Sequence, residues 1–248
     1  MIRSDTAGRV ARVRFDRPDK KNAITAEMYA QLAGALAAAD ADPCVGAILL
    51  HGSADCFTAG NDVADFLERP PSGKGSPTWR LFEVFPNLEK PVVAAVGGPA
   101  VGIGCTMLLH CDLVYAAPNA RFQLPFVRLG IVPEFGSTFL LPLITGYQRA
   151  AELLLLGEPF SAQQAHDAGI VTAIVPQEAL LEEAGKKAAA LAALPAESIR
   201  LTKRLMKARY GAALAETIEE EGRLFRELLN SPEARQALSA FLQKRKPA

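Results

Sequence analysis

The stretch "PVVAAVGGPAVGIGCTMLLHCDLVYAA", residues 91–117, decides how the chain is read. Its segment 92–109 runs for eighteen residues without a charge, long enough to raise the question of a membrane helix. Gly97-Gly98-Pro99 interrupts that run at its centre, and His110 and Asp112 close it. Glycine supplies backbone angles that other residues avoid and proline lacks a backbone donor, so the pair marks a turn. The stretch reads as a buried strand, a turn and a buried helix, with a second strand at 111–117. No membrane span is expected.

Outward from this centre, short β-type runs alternate with helical ones. Residues 9–15 and 46–52 read as strands, and 121–125 as a shorter one. Between the first two, Met28, Leu32, Ala35, Leu36 and Ala39 recur at helical spacing, with Thr25 as the N-cap. The pattern predicts an α/β fold. Residues 68–78, "ERPPSGKGSPT", have no apolar anchors and read as a mobile loop. Strand signals stop after about residue 178, and helical stretches follow, broken at Pro195 and near Ser231-Pro232. Leu214, Ile218, Phe225, Leu228 and Leu229 form an apolar stripe that suits either the chain's own core or another subunit. The expected division is a core at 1–192 and a helical oligomerisation region at 193–248.

Composition narrows the function classes. The 248 residues carry 27 basic and 27 acidic side chains, so no global charge draws the chain to nucleic acid. Cys44, Cys56, Cys105 and Cys111 form no C-x-x-C pair, and His51, His110 and His166 form no ligand-spaced cluster. No metal site is expected, and a reducing compartment is the simpler reading. The start, "MIRSDTAGRVARVRFDRP", has no apolar core of a secretory signal, which points to a cytoplasmic protein.

Three short motifs carry chemistry. "CFTAGND" (56–62) lets a ligand approach the backbone closely, and "GGPAVGIGCTMLL" (97–109) runs a glycine-rich turn into an apolar segment whose first N–H groups are free to bind an anion. In "GIVPEFGST" (130–138) the lone acid, Glu134, has apolar neighbours on both sides. It is either a loop carboxylate that pairs locally or a carboxylate held in an apolar pocket to move a proton.

In this order the motifs resemble the enoyl-CoA hydratase/isomerase (crotonase) superfamily. "DRPDKKNAIT" (16–25), "FTAGND" (57–62), residues 90–136, "GEPFSAQQAHDAGIV" (157–171) and "FLQKRK" (241–246) extend the match over nearly the whole chain. The resemblance implies a spiral of repeated ββα units and a C-terminal helical trimerisation region, hence a homotrimer or a hexamer built from two trimers. It implies an acyl-CoA thioester as substrate, with no separate cofactor and no nucleic-acid partner. It also implies an oxyanion hole made by the backbone N–H groups of Ala59 and Ile103. Ala23, Gly60, Asp62, Gly102, Phe126, Phe241 and Lys244 are the substrate-binding positions it suggests. A hydrogen bond to its own turn is the commoner role for an Asp placed as Asp62 is, and Lys244 equally suits a solvated tail.

One departure from the family pattern is informative. Members that add water across the double bond carry two glutamates, at the positions here held by Thr106 and Phe126. Neither can exchange a proton near neutral pH. Glu134 then matches the single base of the Δ3,Δ2-enoyl-CoA isomerase branch. That makes an acyl-CoA double-bond isomerase of fatty-acid β-oxidation the leading expectation. A hydratase or hydratase/isomerase is the alternative, and a non-catalytic CoA- or RNA-binding member is a remote one.

Overall fold

The computed structural model describes residues 1–70 and 72–244, with side chains as far as Ala240. Strands β1 (Ile2–Ala7) and β2 (Val10–Phe15) form an antiparallel hairpin. β2 alternates buried Val13 and Phe15 with exposed Arg12 and Arg14, as a strand covered on one side should. β3 (Ala47–His51), β4 (Val92–Val96), β6 (Leu113–Ala116) and β9 (Ala173–Ile174) then add in parallel, giving the order β1-β2-β3-β4-β6-β9. A second, small sheet holds β5 (Pro99–Val101), β7 (Arg121–Gln123) and β8 (Phe160–Ser161). The expected α/β class is what forms.

The central strands are apolar throughout because both of their faces are covered. Ile48, Leu50, Val92, Ala94 and Val96 face the main core, which helices α1 (Ala26–Ala41) and α3 (Pro77–Val84) help to close. Ala47, Leu49, Val93 and Ala95 face the opposite way, against Leu180, Ala184, Ala188 and Ala192 of α8 (Leu180–Ala193). The predicted N-cap is present: the Thr25 side chain accepts from the Met28 amide at 3.3 Å. α2 (Val63–Glu68) precedes the 69–76 connection, whose far end is fixed where Ser76 caps α3 by accepting from the Trp79 amide at 3.2 Å. Pro71, within the stretch read as a mobile loop, lies outside the described residues.

Residues 91–117 depart from the expected strand–turn–helix. Gly97 and Gly98 do make the turn, and Gly98 holds φ +61° where a Cβ would lie 1.8 Å from the Asp55 carbonyl. The chain next forms β5, which the sequence reading had merged into the turn. The helix is then only α4 (Ile103–Thr106), tightening into a 3-10 turn at Met107–His110. Gly102, at φ +55°, separates β5 from α4. Among the described residues no helix is long and apolar enough to cross a membrane.

Helices α5 (Ser137–Thr145), α6 (Tyr147–Ala151) and α7 (Ala162–Asp167) lead back to β9. After α8 come α9 (Ala196–Lys207), α10 (Gly211–Leu229) and α11 (Pro232–Lys244). Leu214, Ile218 and Phe225 of α10 are buried in the main core, with Leu228 and Leu229 packed at its edge. The apolar stripe therefore serves the chain's own core, and α10 lies against α5, where it contributes to the site described next.

Candidate active site

Two backbone segments are brought side by side by short pairings. Thr58 pairs with Ala100, which lays 58–61 against the 99–103 turn, while Asn61 pairs with Ile24 on the other side. Gly60 is required there: at φ +85° an added Cβ would sit 2.7 Å from the Val101 carbonyl. The segments border a cavity of about 530 Å3 lined by Ala59, Gly60, Asn61, Gly102, Ile103 and Phe126, among others.

Hydrogen bonding decides which amides can serve a ligand in this cavity. The Ala59 amide donates to the Lys21 carbonyl at 2.9 Å, Gly60 to the Thr58 hydroxyl at 3.2 Å, and Gly102 to Gln123 at 2.9 Å. Among the described residues, the Asn61 and Ile103 amides have no protein acceptor. The assignment of Ala59 as a donor is thereby corrected. Its N–H is already used inside the fold, and the free one belongs to Asn61, two residues on. Backbone donors leave no mark on residue type, so the sequence carried no signal for this shift.

Glu134 stands just before a backbone reversal in which Phe135 (φ +62°) and Gly136 (φ +71°) are both left-handed. A phenylalanine in that region is strained and must be held by its surroundings. Its ring stacks on Phe82 at 4.3 Å and lies 4.1 Å from the His110 ring, while His110 Nε2–H donates to its carbonyl at 2.8 Å. Burial pushes the His110 imidazole down to about 3, with Lys207 and Lys203 adding to the effect, so it stays neutral and acts as a peg.

The Glu134 carboxyl is buried, and its Oε1 has no hydrogen-bond partner among the described residues. Burial, reinforced by the nearby Glu221, pushes it up to about 8. It borders a small cavity of about 30 Å3 together with Trp79, Phe82 and Phe225, and Phe225 also lines the larger cavity. Tyr29 gives a second link between the two. Its hydroxyl donates to Asn61 Oδ1 at 2.6 Å, and burial together with the charge of Glu134 holds its pKa well above the usual phenol value. The only other buried side-chain polar atom without a partner among the described residues is Ser137 Oγ, three residues on at the start of α5. Native folds rarely leave such atoms unsatisfied, which makes this turn a candidate site.

The sequence reading missed Glu221. From α10 its carboxylate accepts from the Gly136 amide at 2.6 Å, the Thr138 amide at 2.9 Å and the Thr138 hydroxyl at 2.6 Å. It thus caps α5 and fixes the turn that carries Glu134. Burial outweighs those three hydrogen bonds and pushes its carboxyl up to about 7. A signal was available: Glu221 falls between Ile218 and Phe225 on the buried stripe of α10, where a solvated acid has no place.

The remaining expected residues divide. Gly60, Gly102 and Phe126 line the large cavity. Thr106 is buried, its hydroxyl turned back toward the Ile103 carbonyl at 3.4 Å. Ala23 lies outside the cavity lining, its carbonyl accepting from Arg17 at 2.9 Å. Asp62 makes the hydrogen bonds to its own turn that its type and place suggest. One oxygen accepts from the Ala64 and Asp65 amides as the N-cap of α2, and the other pairs with Arg17 at 2.7 Å. Asp62→Ala is expected to cost about 1–2 kcal/mol in chemical denaturation and to leave ligand affinity within about twofold, as loss of a cap does. The side chains of Phe241 and Lys244 lie outside the described residues.

The family model for enoyl-CoA hydratase/isomerase matches residues 5–248. The chain belongs to that family. Within the enoyl-CoA hydratase/isomerase family it is 34% identical over 243 residues to 2,3-dehydroadipyl-CoA hydratase of Escherichia coli (strain K12), covering 96% of this chain and 94% of that protein. It is 36% identical over 246 residues to enoyl-CoA delta isomerase 2 of Rattus norvegicus, covering 97% of this chain but 62% of the rat protein. Among solved structures it superposes on Pseudomonas aeruginosa OdaA with a TM-score of 0.94 and 48% identity, over 97% of this chain and 98% of that one. Hydratases and isomerases are thus about equally similar, and overall likeness does not choose between them.

Proposed function

We propose that this protein moves the double bond of a 3-enoyl-CoA to the 2-position, with Glu134 as its one acid–base group. The observation that carries the reading is a lone, unpartnered, buried carboxyl bordering an apolar cavity. No Asp or Glu is among the described residues lining the large cavity, and Phe126 and Thr106 stand at the two positions a hydratase would fill with acids. The thioester carbonyl accepts from the Asn61 and Ile103 amides. Glu134 takes the C2 proton, the negative charge of the dienolate collects on the carbonyl oxygen between those donors, and the same carboxylic acid returns the proton to C4. Proton and charge balance, and no water enters. Two fixed donors in a dry site stabilise such an oxyanion by several kcal/mol, about 3–4 for one donor in well-studied hydrolases. Exposed Leu143, Ile144, Tyr147, Leu155 and Leu156, on α5, α6 and the turn after them, support self-association through this region.

The test is a paired assay of purified protein on 3-enoyl-CoA and 2-enoyl-CoA of matched chain length. Isomerisation is expected to exceed hydration by at least about a hundredfold, since hydration has lost both of its usual acids. Fast hydration of the 2-enoyl thioester would overturn the reading. Because Glu134 acts as a base only when ionised, kcat/KM should climb about tenfold per pH unit and level off above about 8. A profile already flat at pH 6 would contradict the role of a desolvated carboxylate.

A further inference from the structure

A cavity of about 420 Å3 between α3 and the helices α9 and α10 remains unexplained by the carbonyl site. It shares Trp79 and Phe82 with the Glu134 cavity. Leu214 and Ile218 also line it, and both touch the space around Gly136, so its apolar wall lies toward Glu134. The lining then changes character, with Arg200, Lys203, Arg204 and Lys207 all contributed by α9.

Pairing leaves two of these cations over. The acids on the wall are each engaged: Glu83 accepts from Trp79 Nε1 at 2.6 Å, Glu89 pairs with Arg200 at 3.1 Å, and Glu219 with Lys74 at 2.6 Å. Lys203 pairs with Asp112 at 2.7 Å. Among the described residues neither Arg204 nor Lys207 has a carboxylate partner. Lys207 is half-buried, and among the described residues its ammonium donates only to the Pro86 carbonyl, at 3.0 Å. Burial, with Lys203 nearby, pushes it down to about 8, and the more distant charges of Asp112 and Asp40 offset this only in part.

We propose that this cavity receives the distal end of the acyl chain and that Lys207, assisted by Arg204, binds a carboxylate there. The preferred substrate class is then an enoyl-CoA whose chain ends in a carboxylate. The inference rests on the acyl-thioester reading of the Glu134 site. An apolar chain runs past Trp79 and Phe82, and its charged end meets a desolvated ammonium with free donors. A methyl end would leave that half-buried ammonium without a carboxylate, so the site discriminates by what the wrong chain fails to satisfy.

Titration calorimetry on the intact protein tests this with saturated acyl-CoA thioesters, which need no chemistry. Methyl-ended and carboxylate-ended chains of equal carbon number are compared across a series of lengths. At the length that reaches Lys207, the carboxylate-ended chain is expected to bind about tenfold more tightly, as a charge-assisted hydrogen bond in a partly dry site allows. Lys207→Met should bring the ratio close to one, Lys207→Arg should keep a preference, and Lys207→Glu should favour an ammonium-ended chain. Circular dichroism checks that each variant is folded. Equal or absent binding of the two wild-type series overturns the proposal, as does a preference that survives both Lys207→Met and Arg204→Gln. Failed isomerisation with the binding preference intact would remove the isomerase reading and leave this one standing. Turnover without the preference would do the reverse.

Discussion

Glu134→Gln is expected to lower kcat for isomerisation of a 3-enoyl-CoA by about three orders of magnitude, while the Kd for a saturated acyl-CoA changes less than about threefold. General bases contribute roughly 10²–10⁴ in rate, and here one carboxyl must both remove and return the proton. Glutamine keeps the shape and can do neither. The same change has an opposite effect on stability. In the unfolded chain this carboxyl ionises in the ordinary range, whereas burial in the fold raises it to about 8. Folding therefore takes up a proton between those values. The stabilising contribution is complete below the unfolded value and is lost as pH rises through about 8. Relative to wild type, the variant should gain about 3–4 kcal/mol in chemical denaturation at pH 8 over what it shows near pH 5. That combination is what a residue kept for chemistry against the interest of the fold should show. Retained turnover in the variant would sink the assignment of Glu134 as base.

How much of this was legible in the sequence depends on where each signal is carried. β3 and β4 could be read because both faces are buried, so apolar side chains fill the run and glycines end it. β1 could not: "IRSDTA" lies on the sheet edge with five of its six residues exposed, and no apolar alternation announces it. β5 is three residues beside two glycines, and its pairing with β7 is a long-range event that local composition does not encode. The site divides in the same way. Glu134 could be found because one charge in an apolar loop is anomalous by residue type alone. One of the two candidate amides, Ala59, was placed two residues before the free Asn61 amide because the deciding fact, the Lys21 carbonyl taking the Ala59 N–H, comes from a distant loop. Glu221 was readable from its place on the α10 stripe, but its purpose was not. Only the fold shows that it faces the Gly136 and Thr138 amides.

Glu221→Gln is expected to lower kcat for the same isomerisation by roughly 10–100-fold, through position and charge together. The carboxylate now holds both ends of the Gly136–Thr138 turn. An amide keeps one acceptor oxygen, so the Gly136 or the Thr138 N–H is left unsatisfied at a cost of about 1–3 kcal/mol. The Phe135–Gly136 reversal is strained and stays in place only while its surroundings over-determine it, so loosening it lets Glu134 drift from the reacting carbons. A misplacement of about 1 Å can cost a hundredfold. The charge effect runs separately. Ionised Glu221 disfavours ionisation of Glu134, and removing it should move the rise of kcat/KM to lower pH. A helix cap alone would change stability and leave that profile where it was, so the pH profile distinguishes a positioning residue from a purely structural one. If Glu221→Gln lowers the denaturation midpoint while kcat and its pH dependence stay as in wild type, Glu221 serves only the end of α5, and the environment of Glu134 is set by burial alone.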